Sequence, residues 1–452
     1  LLSPDDFGVM GIIWVFISFS DIFINGGFLS ALIQKKDVNE TDYSTAFYWN
    51  LLISILCYAV LYLSAPFISG FYNNSILQDI LRVQGIVLFL NALSVVQSSR
   101  MQKHLRFKKL AIIDLIASVL GCSLGIIAAA FFNFGVWSLV IKMISYSAII
   151  CIAFWITEKW YPNKAFSWSS FKELFSFGSF MLLSSLTNVL YINFQPLIIG
   201  KLFSSKDLGF YTQARKLEEI PVVALTNIVS TVSFPIFSNL QDDKIRLVNC
   251  LKKNIKTITF LSFPLMVFFI VFAKHIIIVL FSETWIESVS YFQLLCLSGM
   301  LIPVNVANKD LYASLGKSKL YFNSQLTYKI FGVILMLIGV FNYGIFGLIY
   351  GKIIADYSLF IMNAIISGKL IGYGLTFQIK DITPSILNAA ICGIILYYVS
   401  NLLGHSNLWL ILLYGIIYFF LYILIAFLFK SQELQLYITI IKKNILHRDE
   451  KK

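Results

Sequence analysis

Thirteen apolar runs follow one another along the 452-residue chain, and each is long enough to cross the roughly 30 Å hydrocarbon core of a bilayer as an α-helix. Only 13% of the residues are charged, against about 25% in soluble domains, so a water-soluble core could not hide this much apolar surface. We therefore predict an all-α polytopic membrane protein. The runs lie near residues 9–31, 47–70, 79–99, 110–132, 136–157, 174–200, 208–237, 257–281, 288–313, 320–341, 345–367, 382–403 and 408–429.

The basic residues divide the connections between these runs into two alternating sets. One set carries 25 Lys and Arg residues and the other carries three. Because short basic loops stay on the cytoplasmic side of a membrane, we predict that the basic set is cytoplasmic, with residue 1 external and the C-terminus internal. The net charge of +12 is then a consequence of membrane topology and does not indicate nucleic-acid binding. The basic set comprises residues 34–46, 100–109, 158–173, 239–256, 314–319, 368–381 and 430–452.

Short internal repeats relate the two halves of the chain. The segment "FNFGVWSLV" (132–140) is similar to "FNYGIFGLI" (341–349), and "DDFGVM" (5–10) is similar to "KDLGFY" (206–211). Both pairs are about 200–210 residues apart, which corresponds to six spans. Internal repeats are typical of transporters, and an even repeat keeps both halves in the same orientation. We predict two six-helix lobes related by a pseudo-two-fold axis along the membrane normal, with a cavity between them and an additional C-terminal helix pair.

The start of the chain suggests that one span is missing. The chain begins outside the predicted membrane, without Met and without a signal peptide. We expect fourteen spans in the whole protein, of which this chain contains the last thirteen. The predicted division is an N-terminal lobe at 1–159 (spans 2–6), an interfacial linker at 160–173 with an amphipathic helix, a C-terminal lobe at 174–381 (spans 7–12), a helix pair at 382–430 and a basic cytoplasmic tail at 431–452.

No motif of a metal centre or catalytic site is present in the sequence. The six cysteines include no CxxC pair, and the four histidines are scattered. The chain also lacks HExxH, GxSxG and Walker sequences. We expect no metal, no cofactor and no catalytic residues.

Several stretches resemble the Wzx-type polysaccharide flippases of the MOP superfamily, in particular the subgroup of lipopolysaccharide and colanic-acid exporters. The resemblance extends to about residue 380. It is carried by "GGFLSALIQKKD" (26–37), "YSTAFYWN" (43–50), "RFKKLA" (106–111), "GKLFSSKDLGFYTQARKLEEIP" (200–221), "FPIFSNLQDD" (234–243), "LFSETW" (280–285), "QLLCLSGMLIP" (293–303) and "LYASLGKSK" (311–319).

This resemblance implies a transporter with the MATE/MOP-like arrangement of two lobes, located in the bacterial inner membrane. Its expected cargo is an undecaprenyl-pyrophosphate-linked oligosaccharide of O-antigen, capsule or exopolysaccharide, moved to the outer leaflet by alternating access. Expected partners are this cargo, membrane lipids, a polysaccharide polymerase and other assembly proteins, with no nucleic acid.

Three other functions stay open. A multidrug or cation antiporter of the same fold is expected to have an acidic cavity, whereas the spans here contain seven Lys or Arg residues. A lipid II flippase would share both fold and carrier lipid. A membrane glycosyltransferase or polymerase is expected to have acidic residues in sizeable external loops, and the predicted external loops have only about 5–14 residues.

The span at 208–237 contains four charged residues, Arg215, Lys216, Glu218 and Glu219. Charged side chains at membrane depth usually face a bundle interior or a water-filled cavity. Arg215 would offer a planar fork to the pyrophosphate of the cargo, with Tyr211 one turn earlier as a sugar or cavity contact. The alternative is a self-neutralised group, because the spacings from Arg215 to the two glutamates are i,i+3 and i,i+4.

Other intramembrane ions have similar alternatives. Lys142 and Lys352 occupy nearly equivalent positions of the repeat, and Arg82 lies near the start of another span. All three are predicted to face the cavity and to bind pyrophosphate. Lys352 could instead pair with Asp356 at i+4, and Arg82 could pair with Asp79 at i−3.

Asp21 lies in the middle of the first run, with no cation at helical spacing. An isolated carboxylate in such a position can take up a proton, so Asp21 is our candidate for ion coupling, with Asn25 as a further cavity contact. The alternative is a salt bridge from Asp21 to another helix.

Overall fold

The computed structural model describes residues 2–25, 27–403, 408–429, 431 and 434. Nearly all of these residues are helical, and they contain no strand, which confirms the predicted all-α class. The predicted tail at 431–452 lies outside the described residues, apart from positions 431 and 434. The helices of the first half are α1 (Pro4–Asn25), α2 (Phe28–Gln34), α3 (Glu40–Tyr72), α4 (Ile76–Gln84), α5 (Ile86–Lys103), α6 (Phe107–Phe132), α7 (Val136–Glu158) and α8 (Trp168–Leu202). Those of the second half are α9 (Ser205–Asn239), α10 (Lys244–Phe281), α11 (Ser288–Gly299), α12 (Ile302–Ser314), α13 (Ser318–Ile371), α14 (Leu375–Leu403) and α15 (Leu408–Leu428), with a 3₁₀ turn at Glu283–Trp285.

All thirteen predicted apolar runs lie in helices. Within the described residues, 12 helical segments are long and apolar enough to cross a membrane. The longest of them, the 54-residue α13, contains two of the predicted runs, because the backbone leaves helical geometry at Tyr343 and Gly344. The chain therefore forms a multi-pass membrane protein.

Three predicted runs are broken helices rather than continuous ones. The first breaks between α1 and α2, where Gly27 has a φ of 73° and a Cβ would lie 2.1 Å from the carbonyl oxygen of Gly178. The second breaks between α4 and α5 at Gly85, and the third breaks between α11 and α12 at Met300 and Leu301. Sequence periodicity misses such breaks, because the flanking residues stay apolar on both sides.

The chain forms two compact units, residues 1–212 and residues 213–452. The boundary lies inside α9 and not at the predicted linker. In the first unit α6 packs along α7, and α5 packs against both α3 and α7. In the second unit α10 packs along α14 and α11, and α12 packs against α13. The predicted lobe boundaries stay a prediction.

The linker between α7 and α8 is partly extended. A helix was expected across this segment, but α8 begins only at Trp168. The preceding residues run along the start of α3, where the backbone N–H of Asn163 donates to Ser44 Oγ at 2.9 Å and that of Ser167 donates to Thr45 Oγ1 at 3.1 Å. These hydroxyls satisfy backbone donors that a helix would have paired internally.

The glycines of the first repeat pair have similar backbone conformations. Gly135 precedes α7 with φ 52° and ψ −129°, and Gly344 breaks α13 with φ 61° and ψ −142°. A residue with a side chain rarely adopts this region, so glycine is required at both equivalent positions.

The second repeat pair also agrees in detail. Ser3 and Asp6 cap the start of α1 by reciprocal hydrogen bonds, and Ser204 and Asp207 cap the start of α9 in the same way. The two helix starts touch reciprocally through Gly8 and Gly209. A Cβ on Gly8 would lie 1.7 Å from the Ser205 carbonyl oxygen, and a Cβ on Gly209 would lie 1.8 Å from that of Pro4. The repeat predicted from two short sequence matches is therefore visible in capping and packing.

Candidate functional site

The four charges of α9 do not form one group. Arg215 pairs with Glu219, whose Oε1 lies 2.7 Å from both Nε and Nη2 of the guanidinium. Lys216 is exposed. Glu218 is 3% exposed, and its Oε1 accepts no hydrogen bond from the described residues. The sequence allowed Arg215 to pair at either spacing, and the structure has the i,i+4 pair.

Glu218 lies against α11, where a glycine makes room for its carboxyl group. A Cβ on Gly299 would approach Glu218 Oε1 to 2.5 Å and the Val222 side chain to 3.0 Å. Ser298, the residue before Gly299, binds both Lys352 and Asp356, which places these two charges beside the same turn of α11 as Glu218. Sequence analysis did not single out Glu218, because the glycine that accommodates it is about 80 residues away in the chain.

Lys352 and Asp356 form a buried ion pair on α13. The Nζ–Oδ2 distance is 2.9 Å, and the exposed side-chain fractions are 17% and 4%. The Ser298 hydroxyl donates to Asp356 Oδ2 and accepts from Lys352 Nζ, and the Tyr328 hydroxyl donates to Asp356 Oδ1. This is the local pairing that the i,i+4 spacing allowed. The role of Lys352 as a cavity cation stays a prediction.

A network of buried polar side chains continues from this ion pair between α12 and α13. Asn305 Nδ2 donates to the Asp356 carbonyl oxygen at 3.2 Å, and Asn363 Nδ2 donates to Asn305 Oδ1 at 3.1 Å. The Tyr312 hydroxyl donates to Asn363 Oδ1 at 2.9 Å. In a bilayer, such bonds hold helices together where apolar contacts with lipid would be equally favourable.

A second part of the network joins α12 to α14. Asn308 and Gln378 are fully buried and bind each other through both carboxamides, at 3.0 and 2.9 Å. Asn308 Oδ1 also accepts from the Ser367 hydroxyl at 2.7 Å. The spacings of 305 to 308 and 363 to 367 place these polar residues on one face of each helix, a signal that sequence analysis could have used.

The network ends near the connection between α13 and α14. The Tyr373 hydroxyl donates to Asp381 Oδ2 at 2.8 Å, and Asp381 Oδ1 lies 3.3 Å from Lys256 Nζ and 3.6 Å from Lys252 Nζ. Burial, together with the hydrogen bond and negative charge of Asp381, raises the pKa of the Tyr373 phenol above its ordinary value. Both lysines belong to the connections predicted to be cytoplasmic.

The remaining predicted cations have different surroundings in the first unit. The Arg82 guanidinium lies 4.4 Å from the centre of the Tyr62 ring, and within the described residues it forms no ion pair with Asp79. Lys142 is exposed, and no acidic side chain of the described residues lies within 4.0 Å of it. Its Cβ packs against Gly125 of α6, 2.8 Å from where a Cβ would lie there. No contact joins these two residues, and their cargo-binding role stays a prediction.

The candidate coupling residue Asp21 accepts a hydrogen bond from Asn91 Nδ2 of α5 at 2.9 Å. Within the described part of the chain Asp21 forms no salt bridge. The partner that it has on another helix is the neutral Asn91 and not a cation. Asn25 is exposed at the end of α1. Tyr211 is fully buried, and its hydroxyl donates to Gln195 Oε1. Their predicted cavity roles are untested.

Ion pairs tie together the helix ends of the first unit on the side predicted to be cytoplasmic. Lys35 lies between Asp42 and Glu173, at 2.8 and 2.9 Å. Burial alone would lower the pKa of Lys35, but the hydrogen bonds and charges of the two carboxylates outweigh it and raise that pKa. Nearby, Glu158 is 3% exposed and pairs with Arg106 at 2.7 Å.

The amino-acid sequence matches a known family over most of its length. Residues 1–290 match the family described as "Polysaccharide biosynthesis protein". The chain belongs to this family. The family includes the kind of protein that the sequence motifs resembled, so that resemblance is confirmed.

Named relatives agree with this family. The chain is 30% identical over 307 residues to the teichuronic acid biosynthesis protein TuaB of Bacillus subtilis, an alignment that covers 67% of this chain and 63% of TuaB. It is 23% identical over 303 residues to the lipopolysaccharide biosynthesis protein WzxC of Escherichia coli, covering 67% of this chain and 61% of WzxC. The matched region thus spans about three fifths of the length of these two relatives.

Solved structures confirm the fold class. The lipid II flippase MurJ, in an inward closed conformation, superposes with a TM-score of 0.76 at 17% identity, covering 95% of this chain and 93% of MurJ. An inward-facing multidrug resistance MATE family transporter of the MOP superfamily superposes with a TM-score of 0.63 at 15% identity, covering 81% and 92%. At such low identity these likenesses show the shared fold and nothing about cargo.

Proposed function

We propose that the protein is a flippase that moves a lipid-linked oligosaccharide across the bacterial inner membrane, from the cytoplasmic to the outer leaflet. The observation that carries this proposal is the family match, combined with a fold that a lipid II flippase also has. The names of TuaB and WzxC refer to the biosynthesis of teichuronic acid and lipopolysaccharide, and a further relative is the succinoglycan biosynthesis transport protein ExoT of Rhizobium meliloti.

Transport is favoured over an enzymatic role by what the buried polar groups do. Two acidic residues of the second unit bind side chains of other helices: Asp356 accepts from Ser298 of α11, and Asp381 of α14 pairs with Lys256 of α10. No described group of three or more His, Cys, Asp or Glu residues could hold a metal ion. A glycosyltransferase or polymerase would need a carboxylate free to act on a sugar in an external loop, and the proposal assigns no such residue.

Among the predicted cargo-binding cations, Lys142 is the first to test. Arg215 and Lys352 each form an ion pair with an acidic residue of their own helix. Lys142 is exposed, and it has no acidic partner in the described residues. A pyrophosphate would supply the counter-charge. We propose Lys142 as the leading pyrophosphate contact, with Arg215, Lys352 and Arg82 as further cationic contacts, Tyr211 and Asn25 at the sugar, and Asp21 in ion coupling.

The decisive experiment uses purified protein in proteoliposomes that contain undecaprenyl-pyrophosphate-linked oligosaccharide labelled on its sugar. Wild-type protein is expected to expose the label to an external sugar-modifying enzyme at a rate well above that of empty liposomes. Lipid II as cargo tests the alternative flippase function, and an undecaprenyl-linked cargo that stays inside would contradict the proposal.

Variants then test the cations. Lys142→Ala is expected to lower the apparent affinity for cargo about ten- to hundred-fold, because a charge-assisted contact contributes about 1.5–3 kcal/mol. Lys142→Arg retains the charge and is expected to retain most transport. The triple variant Arg215→Gln, Glu218→Gln, Glu219→Gln tests the α9 group, since normal transport by it would exclude Arg215 from cargo binding.

A further inference from the structure

The second unit contains a buried charge cluster that is not neutral. Glu218 lies against Gly299 of α11, and the preceding residue, Ser298, binds both Lys352 and Asp356. The exposed fractions are low: 3% for Glu218, 17% for the Lys352 side chain and 4% for the Asp356 side chain. Two carboxylates and one ammonium leave one negative charge. A buried uncompensated charge is costly, and the cost is greater at membrane depth.

The neighbouring charges do not remove this excess. Arg215 and Glu219 neutralise each other through their own ion pair at 2.7 Å. Lys216 precedes Glu218 by two residues, which places the two side chains on opposite sides of the helix, and it is exposed. The other titratable groups nearby are the Cys296 thiol beside Glu218 and the phenols of Tyr328 and Tyr357 beside Asp356. None of them carries a positive charge.

Within the cluster, hydrogen bonds distinguish the two carboxylates. Asp356 accepts from Lys352, Ser298 and Tyr328, all of which stabilise its ionised form. Glu218 Oε1 is buried and accepts no hydrogen bond from the described residues. An oxygen in this position is where a proton would reside, because the resulting O–H neutralises the cluster without disturbing the existing bonds.

We propose that Glu218 is a proton-binding site of the transport cycle, at which one proton neutralises the Glu218–Lys352–Asp356 cluster. The proton is taken from water, forms an O–H bond at the carboxylate of Glu218 and returns to water when Glu218 ionises again. This inference rests on the proposed transport function and adds Glu218, in the second unit, to Asp21 of the first unit as a residue that couples transport to a proton gradient. A sodium ion is disfavoured, because the Lys352 ammonium already occupies the place of a cation beside Asp356.

Infrared difference spectroscopy tests proton binding without any transport assay. Wild-type protein in lipid nanodiscs at neutral pH is expected to show the C=O band of a buried protonated carboxylic acid, with its shift in D₂O. The spectrum of Glu218→Gln is expected to lack the part of this C=O band that comes from Glu218. A band from Asp21 would be present in the wild type and in Glu218→Gln alike. Glu283→Gln, at an exposed carboxylate of the 3₁₀ turn in the same unit, is the matched control and is expected to retain the band.

A second variant keeps the proposal falsifiable if Glu218→Gln does not fold. Asp356→Asn leaves Lys352 to neutralise Glu218, so the protonated band is expected to disappear although Glu218 is still present. Thermal unfolding shows which of the two variants folds. The proposal would be overturned if a folded Glu218→Gln or Asp356→Asn variant had the same band as the wild type.

Coupling is measured in the proteoliposomes described above. A pH gradient is expected to accelerate transport by wild type and by Glu283→Gln, and to accelerate transport by Glu218→Gln much less. A sodium gradient that drives transport in the absence of a pH effect would overturn the proposal in favour of a metal-ion site. If wild-type protein moves no lipid-linked oligosaccharide but the infrared band behaves as expected, the proposed cargo is wrong and the proton site stands.

Discussion

The reciprocal carboxamide pair between Asn308 and Gln378 is expected to be a strong link between α12 and α14. Replacing Asn308 by Leu, which has a similar volume, removes both bonds to Gln378 and the bond from Ser367. Interhelical hydrogen bonds in membrane proteins contribute about 0.6 kcal/mol on average and about 1.7 kcal/mol at most, so the two reciprocal bonds correspond to about 1–3 kcal/mol. Asn308→Leu and Gln378→Leu are each expected to destabilise the protein by at least this amount.

A double-mutant cycle isolates the pair from other effects of the substitutions. The free energy of unfolding is measured by denaturant titration in mixed micelles for wild type, Asn308→Leu, Gln378→Leu and the double variant. Because the second substitution removes a group that has already lost its partner, the double variant is expected to be about 1–3 kcal/mol more stable than the sum of the single effects predicts. Asn342→Leu, at an exposed amide that bonds only within α13, is the control.

Additive single effects would refute this reasoning. They would mean that each carboxamide forms a hydrogen bond with another group, such as a water molecule in the membrane, once its neighbour is replaced. A control variant as unstable as Asn308→Leu would likewise show that the leucine itself, and not the lost pair, causes the effect.

Three further predictions concern the first unit. Gly8→Ala is expected to lower the free energy of unfolding by about 1–3 kcal/mol, because its Cβ would overlap a backbone oxygen. Gly70→Ala is the control, since a Cβ there meets nothing within 4 Å, and it is expected to cause no loss of stability in the same denaturant titration. Glu158→Gln removes a charged hydrogen-bond partner of Arg106 and is expected to cost about 1.5–3 kcal/mol, measured by the same unfolding titration. The pKa of Lys35 is raised on folding, so its stabilising contribution is complete below the unfolded-state value of about 10.4 and is lost as pH rises through the higher folded-state value. Lys35→Met is expected to abolish that part of the alkaline loss of stability, and an unchanged alkaline profile would contradict the assignment.

The spans and the repeat were predictable because they depend on properties that extend over many residues. Hydrophobicity over about 20 residues identifies each span, and one nine-residue match identified the equivalence of Gly135 with Gly344. The Lys352–Asp356 pair was the alternative that its i,i+4 spacing allowed, since both partners lie on one helix.

The candidate site was less predictable, because its partners come from distant helices. Spacing on α9 allowed Arg215 to pair with Glu218 or with Glu219, and the choice depends on Gly299, which accommodates the Glu218 carboxyl on another helix. The hydrogen bond from Asn91 to Asp21 is equally invisible within one run, since it joins α1 to α5.

The buried network of α12 to α14 has a consequence for the order in which the chain is assembled. Asn305 and Asn308 enter the bilayer with α12, before the ribosome has made Asn363 and Gln378. Their carboxamides are costly in hydrocarbon until those partners arrive. The ribosome therefore synthesises Asn308 of α12 about 70 residues before Gln378, its hydrogen-bond partner on α14. During that interval the insertion machinery must shelter this helix, and a chain truncated between α13 and α14 is expected to be recognised as unfinished and degraded.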